Sequence, residues 1–236
     1  MSDIRLSPTE IYHKLLEAYG AQNWWPASSP FEMMAGAILV QNTRWENVEL
    51  AINSLAKAEA LSPEAILSLS EAELSELIRP AGFYRVKAKR LKAFCEFYQK
   101  QQGLPGMKRW PKTTIRHQLL KTHGIGPETA DCILLYTLDH PVFVVDAYTR
   151  RMFARIGLLD SSMNYQDVQD YFHNRTPNSL PLFQEYHALI VEHSKRYCQS
   201  TPKCPKCPLT EFCLKENCEE SACSDSDDTQ TLENVA

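Results

Sequence analysis

Four cysteines near the carboxyl end of the chain have a spacing that suits cluster ligation. Cys198, Cys204, Cys207 and Cys213 follow one another as C-x5-C-x2-C-x5-C within 16 residues. A structural zinc site usually carries two close Cys or His pairs, whereas this stretch has one close pair flanked by wider gaps. Ligation of a [4Fe–4S] cluster by four thiolates fits that spacing better than zinc does. The remaining alternative is a set of unconnected core cysteines.

A second chemical candidate is the stretch "HGIGPETADCILLYTLDHPVFVVDAY" over residues 123–148. Gly124 and Gly126 precede a helical pattern that starts at Pro127. A dinucleotide fingerprint requires a strand before its glycines, but the preceding "TTIRHQLLKT" has helical register. A Gly-x-Gly turn between two helices predicts a helix-hairpin-helix element, whose free N–H groups would hold one backbone phosphate of DNA. An ordinary glycine loop between packed helices is the alternative.

The elements that must position these residues are helical. "SPTEIYHKLLEAYG" predicts a helix with a capping box formed by Ser7 and Glu10, and "SEAELSELIRP" repeats that box with Ser70 and Glu73. Only "PVFVV" at 141–145 resembles a strand, and it is too short to form a sheet alone. Because strands and helices do not alternate along the chain, we expect an all-α protein.

The stretch "FYRVKAKRLKAFCEFYQK" predicts one long amphipathic helix. Its apolar face would carry Phe83, Leu91, Phe94 and Tyr98. Its basic face would carry Arg85, Lys87, Lys89 and Arg90, and a second basic pair follows at Arg150 and Arg151. A solvated surface is the default for such charge. We take Lys87 and Arg150 as candidates for contact with DNA phosphates, which predicts binding that salt weakens.

Composition sets outer limits. The chain has 236 residues, of which 44% are apolar, enough for one large or two small globular domains. No apolar run reaches the length of a membrane span, and the charged start "MSDIRLSPTE" lacks the apolar region of a secretory signal. We therefore expect a cytoplasmic protein with reduced thiols.

The net charge of −4 is unevenly distributed. From Glu216 onward the chain has seven acidic residues and no Lys or Arg, so the rest carries 25 basic and 22 acidic residues, about +3. We predict that this acidic tail is disordered, and that the body is compatible with DNA. Cys218 and Cys223 lie in the tail and are assigned no role.

The order of these motifs resembles that of the endonuclease III superfamily of DNA glycosylases. Helix, "GIG" hairpin, helix, "VVDAYTRR" and the four cysteines occur in the family's order, and the resemblance runs from about Phe31 to Cys213. It implies a two-domain helix-hairpin-helix DNA glycosylase fold with an iron–sulfur cluster loop. Residues 22–138 would form a six-helix barrel with the hairpin, 1–21 plus 139–214 the cluster domain, and 215–236 the acidic tail. The cofactor would be a [4Fe–4S] cluster.

The same resemblance implies roles for single residues. Asp146, which also has the position of a helix N-cap, would be the catalytic carboxylate. Gln41, with Asn42 beside it, would fill the gap left by an extruded nucleotide. Bifunctional members carry a lysine nucleophile two residues after the second hairpin glycine, where this chain has Glu128. A carboxylate cannot form a Schiff base, so we expect a monofunctional enzyme.

A further resemblance concerns the substrate. "NWWPASSPFEMMAGAILVQNTRWENV" is similar to the same stretch of a 3-methyladenine DNA glycosylase within this superfamily. The shared features are the paired Trp24 and Trp25 and an aromatic residue at Trp45. Such rings would stack on a flipped base, and an N-alkylated purine cation would gain roughly 1–2 kcal/mol from cation–π attraction. Glu128 either faces this pocket or is an ordinary first-turn helix acid, and we favour the second.

Three functions remain open from the sequence. The first is a monofunctional DNA N-glycosylase that removes alkylated purines such as 3-methyladenine in base excision repair. The second is a bifunctional endonuclease III-type glycosylase and AP lyase acting on oxidised pyrimidines. The third is a non-catalytic iron–sulfur DNA-binding protein. For the first we expect a monomer, associated with the nucleoid, whose partner is double-stranded DNA containing a damaged base.

Overall fold

The computed structural model describes residues 6–214, and within that range the chain forms twelve α-helices and no strand. The helices are α1 Pro8–Tyr19, α2 Pro30–Leu39, α3 Trp45–Lys57, α4 Pro63–Ser68, α5 Glu71–Leu77, α6 Tyr84–Lys100, α7 Gly103–Met107, α8 Lys112–Lys121, α9 Pro127–Tyr136, α10 Ala147–Ile156, α11 Tyr165–His173 and α12 Leu180–Arg196. The all-α prediction is confirmed for this range. The predictions for the acidic tail fall outside the described residues.

Polar capping residues lie at the starts of two helices, as the sequence predicts. Ser7 and Glu10 form both hydrogen bonds of a capping box at α1, and Ser70 and Glu73 do the same at α5. The segment 141–145 forms no helix and no strand. It delivers Asp146 to the start of α10, where that side chain caps the helix.

Helix α6 differs from its predicted pattern at two positions. Leu91 and Phe94 are buried as expected, but Phe83 is 69% exposed. Phe83 precedes the helix with a left-handed φ of 45°, so it does not continue the apolar face. Lys87 is buried with 1% of its surface exposed, and its Nζ donates to the carbonyl oxygen of Ala81 at 2.6 Å.

The predicted phosphate contact of Lys87 is therefore wrong. Its ammonium satisfies the end of the 3₁₀ turn Arg79–Ala81 instead of facing solvent. Burial, with a smaller contribution from Arg90, lowers the pKa of Lys87 to about 8. Sequence periodicity places Lys87 on the basic side of α6, but α6 also packs against α5 and this turn, and the Lys87 ammonium reaches the turn at Ala81.

Two groups of helices meet at α9. Helices α4 and α5 pack on α6, and α2 packs on α6 and α9, while α1 and α10 pack on α12. Helix α9 also contacts α12, and the Gln184 side chain fixes that contact by donating to the Leu135 carbonyl at 2.9 Å. The boundary predicted near residue 138 follows α9 directly, and the two-domain division itself stays a prediction. In residues 6–214 no helix is long and apolar enough to cross a membrane.

Candidate active site

Asp146 is a buried carboxylate at the start of α10, with 7% of its surface exposed. Its Oδ1 accepts a hydrogen bond from the backbone N–H of Thr149 at 2.6 Å. Its Oδ2 lies 3.5 Å from Nε2 of His187. Burial acts to raise the pKa of Asp146, but contact with His187 and then with the Thr149 N–H outweighs it, so the pKa lies below its ordinary value. The group is therefore an anion at neutral pH.

His187 and Tyr136 complete the surroundings of Asp146, and sequence reasoning missed both. His187 lies on α12 with 4% of its surface exposed, and its Nδ1 is 2.8 Å from the Tyr136 hydroxyl. The same hydroxyl lies 3.1 Å from the carbonyl oxygen of Gln184. One signal was available: His187 follows the buried Phe183 by one helical turn, which places a polar side chain on the core face of α12. No sequence signal shows that its partner is Asp146.

The three predicted tryptophans lie together, next to these residues. The rings of Trp24 and Trp25 are stacked, with centroids 4.8 Å apart at 19°. Trp24 contacts His187 at 5.3 Å and the edge of Tyr136 at 5.9 Å. Trp25 meets Trp45 edge-on at 5.1 Å. All three tryptophans are half-buried, so an aromatic surface extends from Asp146 towards solvent.

A cavity of about 400 Å³ borders this surface at Trp25 and Trp45. Its lining comprises Trp25, Pro26, Ala27, Glu32, Trp45, Glu49, Ile52 and Asn53. The indole Nε1 of Trp45 donates to Oε1 of Glu49 at 2.9 Å, which fixes the ring in the wall. Two indoles and two carboxylates make an environment that favours cationic over anionic groups.

Glu128 faces the same site. It shares one side of α9 with Cys132 and Tyr136, because the three are spaced four residues apart. The residue is exposed, although part of its carboxyl is shielded from solvent. That shielding, followed by the negative charge of Asp146, raises the pKa of Glu128 to about 7, while His187 acts in the opposite direction. The raised pKa supports a place for Glu128 at the pocket, the exposure agrees with an ordinary helix acid, and its role stays a prediction.

Of the two hairpin glycines, only Gly124 is required by the fold. Gly124 has a φ of +81°, and a Cβ there would lie 2.1 Å from Cγ of Arg90, so both conformation and space require glycine. Gly126 caps α9 with a φ of −90°, and a Cβ there would meet nothing within 4 Å. The fold does not require glycine at 126, and the open N-terminus of α9 suits a phosphate. Arg150 donates from Nη1 to the Met163 carbonyl at 2.8 Å, and its phosphate contact stays a prediction.

Gln41 connects the end of α2 to the hairpin. Its Nε2 donates to the Gly124 carbonyl at 3.0 Å and to Oγ1 of Thr129 at 2.9 Å. Its Oε1 accepts from Nη1 of Arg90 at 2.5 Å. Asn42 beside it is exposed, with a left-handed φ of 55°. Insertion of Gln41 into a duplex would require these bonds to open, and its role as a plug stays a prediction.

The four cysteines border one cavity. Cys198, Cys204, Cys207 and Cys213 line it together with apolar Met152, Ile156 and Leu209. Nη1 of Arg155 lies 3.3 Å from the Cys198 sulfur, and Nε2 of the buried His193 lies 3.7 Å from the Cys207 sulfur. Among residues 6–214 no group of three or more His, Cys, Asp or Glu side chains is arranged to hold a single metal ion. In a [4Fe–4S] cluster each thiolate binds its own iron, so this donor set fits a cluster.

Comparison with known proteins decides the family. Residues 35–178 match the family described as "HhH-GPD superfamily base excision DNA repair protein". The chain belongs to the HhH-GPD superfamily. A Methanocaldococcus jannaschii protein, provisionally named a DNA repair glycosylase, is 49% identical over 210 residues, which cover 88% of this chain and 96% of that protein. Endonuclease III of Sulfolobus acidocaldarius is 29% identical over 185 residues, which cover 78% of this chain and 81% of its own.

Solved structures agree with this HhH-GPD assignment. The H. pylori 3-methyladenine DNA glycosylase bound to 1,N6-ethenoadenine has a TM-score of 0.71 at 30% identity, covering 81% of this chain and 98% of that one. An endonuclease III–DNA complex has a TM-score of 0.78 at 21% identity, covering 91% and 99%, which shows the shared fold. The resemblance to the endonuclease III superfamily is confirmed, and the chain is a DNA glycosylase of base excision repair that acts on DNA.

Proposed function

We propose that this HhH-GPD glycosylase is monofunctional and removes alkylated purines, such as 3-methyladenine, from double-stranded DNA. The observation that carries the proposal is the pairing of an ionised, buried Asp146 with a carboxyl, Glu128, at the hairpin position of the lysine nucleophile. The first group suits cleavage of a glycosidic bond. The second excludes an imine at that position.

Asp146 would act on the sugar. Any enzyme that works on a base within a duplex must first turn the nucleotide out of the stack. As the glycosidic bond breaks, positive charge develops on the sugar, and a fixed anion stabilises it and orients the attacking water. The Thr149 N–H fixes Oδ1 and keeps the group charged, so Asp146 needs no reorganisation during the reaction.

The aromatic surface would receive the base. Trp24 and Trp25 stack on one another and border the neighbours of Asp146, so a flipped purine could stack next to the reacting bond. An alkylated purine cation is favoured by indole faces and by the carboxylates of Glu32 and Glu49, which line the cavity at Trp25 and Trp45. The H. pylori enzyme, 30% identical, bears the name 3-methyladenine DNA glycosylase and was solved with an etheno-modified adenine.

The alternative of a bifunctional lyase needs another nucleophile. Lys121, at the end of α8, is exposed and precedes the hairpin. Buried Lys87 already donates to a backbone carbonyl. No specific contact favours the third alternative, a non-catalytic DNA-binding protein, and the placement of Asp146 argues against it. For the enzyme itself we propose a monomer, associated with the nucleoid in the cytoplasm.

The four cysteines would hold a [4Fe–4S] cluster as thiolates. Such a cluster would tie the segment 198–213 after α12 into one compact loop, because all four ligands belong to that segment. Arg155 would support it, because its guanidinium contacts the Cys198 sulfur and donates to the carbonyls of Gln199 and Ser200 at 2.6 and 2.8 Å. Lys203 and Lys206 are exposed on the same loop, where they could meet phosphates.

One assay set tests the substrate and the reaction type together. Methylated, oxidised and mismatched duplexes are incubated with the protein, and strand cleavage is measured with and without alkali. We expect base loss on methylated DNA, visible as cleavage only after alkali. Cleavage of oxidised DNA without alkali would contradict the proposal and favour the bifunctional alternative. Binding without base loss from any duplex would favour the non-catalytic one.

A further inference from the structure

His187 lies between the carboxylate of Asp146 and the hydroxyl of Tyr136. We propose that His187 is the positioning residue of Asp146, and that Tyr136 fixes the ring so that Nε2–H faces Asp146 in both protonation states. The inference rests on the proposed function, because it concerns the carboxylate of that same reaction. It follows from the number of protons that Tyr136 and His187 carry and the acceptors within their reach.

The Tyr136 hydroxyl carries one proton and has two acceptors within reach. Nδ1 of His187 lies at 2.8 Å and the Gln184 carbonyl oxygen at 3.1 Å. The carbonyl of Gln184 belongs to helix α12, whose own ladder supplies it with a donor, so the tyrosine proton is not required there. The hydroxyl can therefore donate to either acceptor.

Both protonation states of His187 are satisfied by this arrangement. When the ring is neutral, Tyr136 donates to Nδ1, which leaves the ring proton on Nε2, opposite Oδ2 of Asp146. When the ring takes up a second proton at Nδ1, that proton is donated to the tyrosine oxygen and the hydroxyl turns to the Gln184 carbonyl. In each state Nε2–H points to Asp146.

The consequence is that both oxygens of Asp146 have a donor. Oδ1 accepts from the Thr149 N–H at 2.6 Å, and Oδ2 lies 3.5 Å from Nε2 of His187. The second distance is long for a hydrogen bond, and such contacts often shorten when substrate binds. Without His187 the Thr149 N–H alone would orient the carboxylate, Oδ2 would lose its donor, and burial would favour the protonated form more strongly.

The groups that face His187 come from several elements. Asp146 approaches from the segment before α10, Tyr136 and Glu128 from α9, and the Trp24 ring covers one side at 5.3 Å. Two of these groups carry negative charge. Asp146 is ionised at neutral pH, and Glu128 becomes ionised as the pH rises above its pKa of about 7. Removal of His187 therefore leaves Asp146 with the negative charge of Glu128 nearby and without the imidazole donor, which makes ionisation of Asp146 harder.

The test uses the full-length protein, with ¹³C NMR titration of the Asp146 carboxyl and the pH profile of single-turnover excision from methylated duplex. In His187→Ala we expect the Asp146 pKa to rise, the acid limb of excision to move to higher pH, and the plateau rate to fall about 10- to 100-fold. His187→Gln, whose amide can donate to Asp146, should recover part of the plateau rate. Thermal melting and duplex binding are controls for the fold.

The outcomes separate this inference from the proposed function. An unchanged Asp146 pKa in His187→Ala, or an equal rate loss at every pH with no rescue by Gln, would overturn the positioning role. ¹⁵N NMR should show the proton of neutral His187 on Nε2, and a proton on Nδ1 would also overturn it. Both NMR readouts are decisive even if the wild-type protein excises no alkylated base, a result that would sink the proposed function alone.

Discussion

Two buried carboxylates, Asp131 and Asp146, have opposite surroundings. Asp131 is fully buried and accepts from Nε and Nη2 of Arg116 at 2.6 and 2.9 Å. Its Oδ2 also accepts from the Tyr165 hydroxyl at 2.9 Å and from Nε2 of Gln169 at 2.8 Å. The guanidinium neutralises the charge, and four donors saturate the oxygens. This carboxylate connects α8, α9 and α11 and has no capacity left for a substrate.

Asp146 is buried to a similar degree but is not neutralised in the same way. In residues 6–214 its donors are the Thr149 N–H and His187, and no guanidinium is paired with it. A helix N-terminus keeps the charge in place while leaving lone pairs available. Burial therefore does not identify the catalytic carboxylate. The distinction lies in whether the partner cancels the charge or only orients the group.

The largest expected effect on the excision rate comes from a substitution at Asp146. Asp146→Asn keeps the shape and can still cap α10, but it removes the anion that stabilises the cationic sugar. We expect single-turnover excision to fall about 10³-fold or more, with duplex affinity within about threefold of the wild type. Gel-shift binding and quenched-flow excision on methylated duplex measure the two quantities. Undiminished excision would remove Asp146 from the reaction.

The matching change at Asp131 should affect stability instead. Asp131→Asn leaves the Arg116 guanidinium without its anion, which we expect to cost about 2–4 kcal/mol of unfolding free energy. Denaturant titration measures that cost. The rate per folded molecule should stay within about threefold of the wild type. A stable variant with a large loss of excision would mean that both carboxylates belong to the site.

The hairpin glycines offer a smaller version of the same contrast. Gly124→Ala meets both a φ of +81° and the Arg90 side chain, so we expect a loss of about 1–3 kcal/mol in stability. Gly126→Ala meets nothing and should leave stability within about 0.5 kcal/mol. If a phosphate approaches there, the same methyl group should weaken duplex binding. Thermal melting and duplex binding of both variants measure these effects. Unchanged binding in Gly126→Ala would count against a phosphate contact at the N-terminus of α9.

The smallest expected effect concerns pH and Glu128. Its pKa is raised from 4.5 to about 7 in the folded state, so the unfolded chain releases the proton first as pH rises. The stabilisation from Glu128 is therefore complete below pH 4.5 and is lost as pH rises to about 7. Glutamine does not ionise, so Glu128→Gln should not show that loss. The free energy of unfolding of the variant, relative to the wild type, should therefore be higher at pH 8 than at pH 4. We expect about 1 kcal/mol, because solvent contact screens part of the shift. Equal pH dependence in both proteins would contradict this.

Sequence reasoning succeeded where the controlling interaction is local. The capping boxes of Ser7 and Ser70 close within one helical turn, and the N-cap role of Asp146 depends on residues three positions away. The all-α class and the superfamily follow from such local signals in order. The arrangement of Trp24 and Trp25 beside the site was also expected from a motif.

The failures concern contacts between distant segments. Lys87 was assigned to a solvent face because helical periodicity ignores what packs beside a helix, and the turn at Ala81 takes its ammonium. His187 meets Asp146 across 41 positions of sequence and Tyr136 across 51, so no window along the chain contains the network. The charge of Asp146, which raises the pKa of Glu128, is likewise remote in sequence.

The central claim is that carboxylate chemistry, without an imine, operates at this site. Borohydride trapping on duplex DNA with an abasic site tests it most directly, with Glu128→Lys as the control that restores an amine at the hairpin position. We predict no covalent adduct for the wild-type protein and an adduct for E128K. A wild-type adduct would contradict the account, because among residues 6–214 no lysine contacts Asp146, His187 or Tyr136.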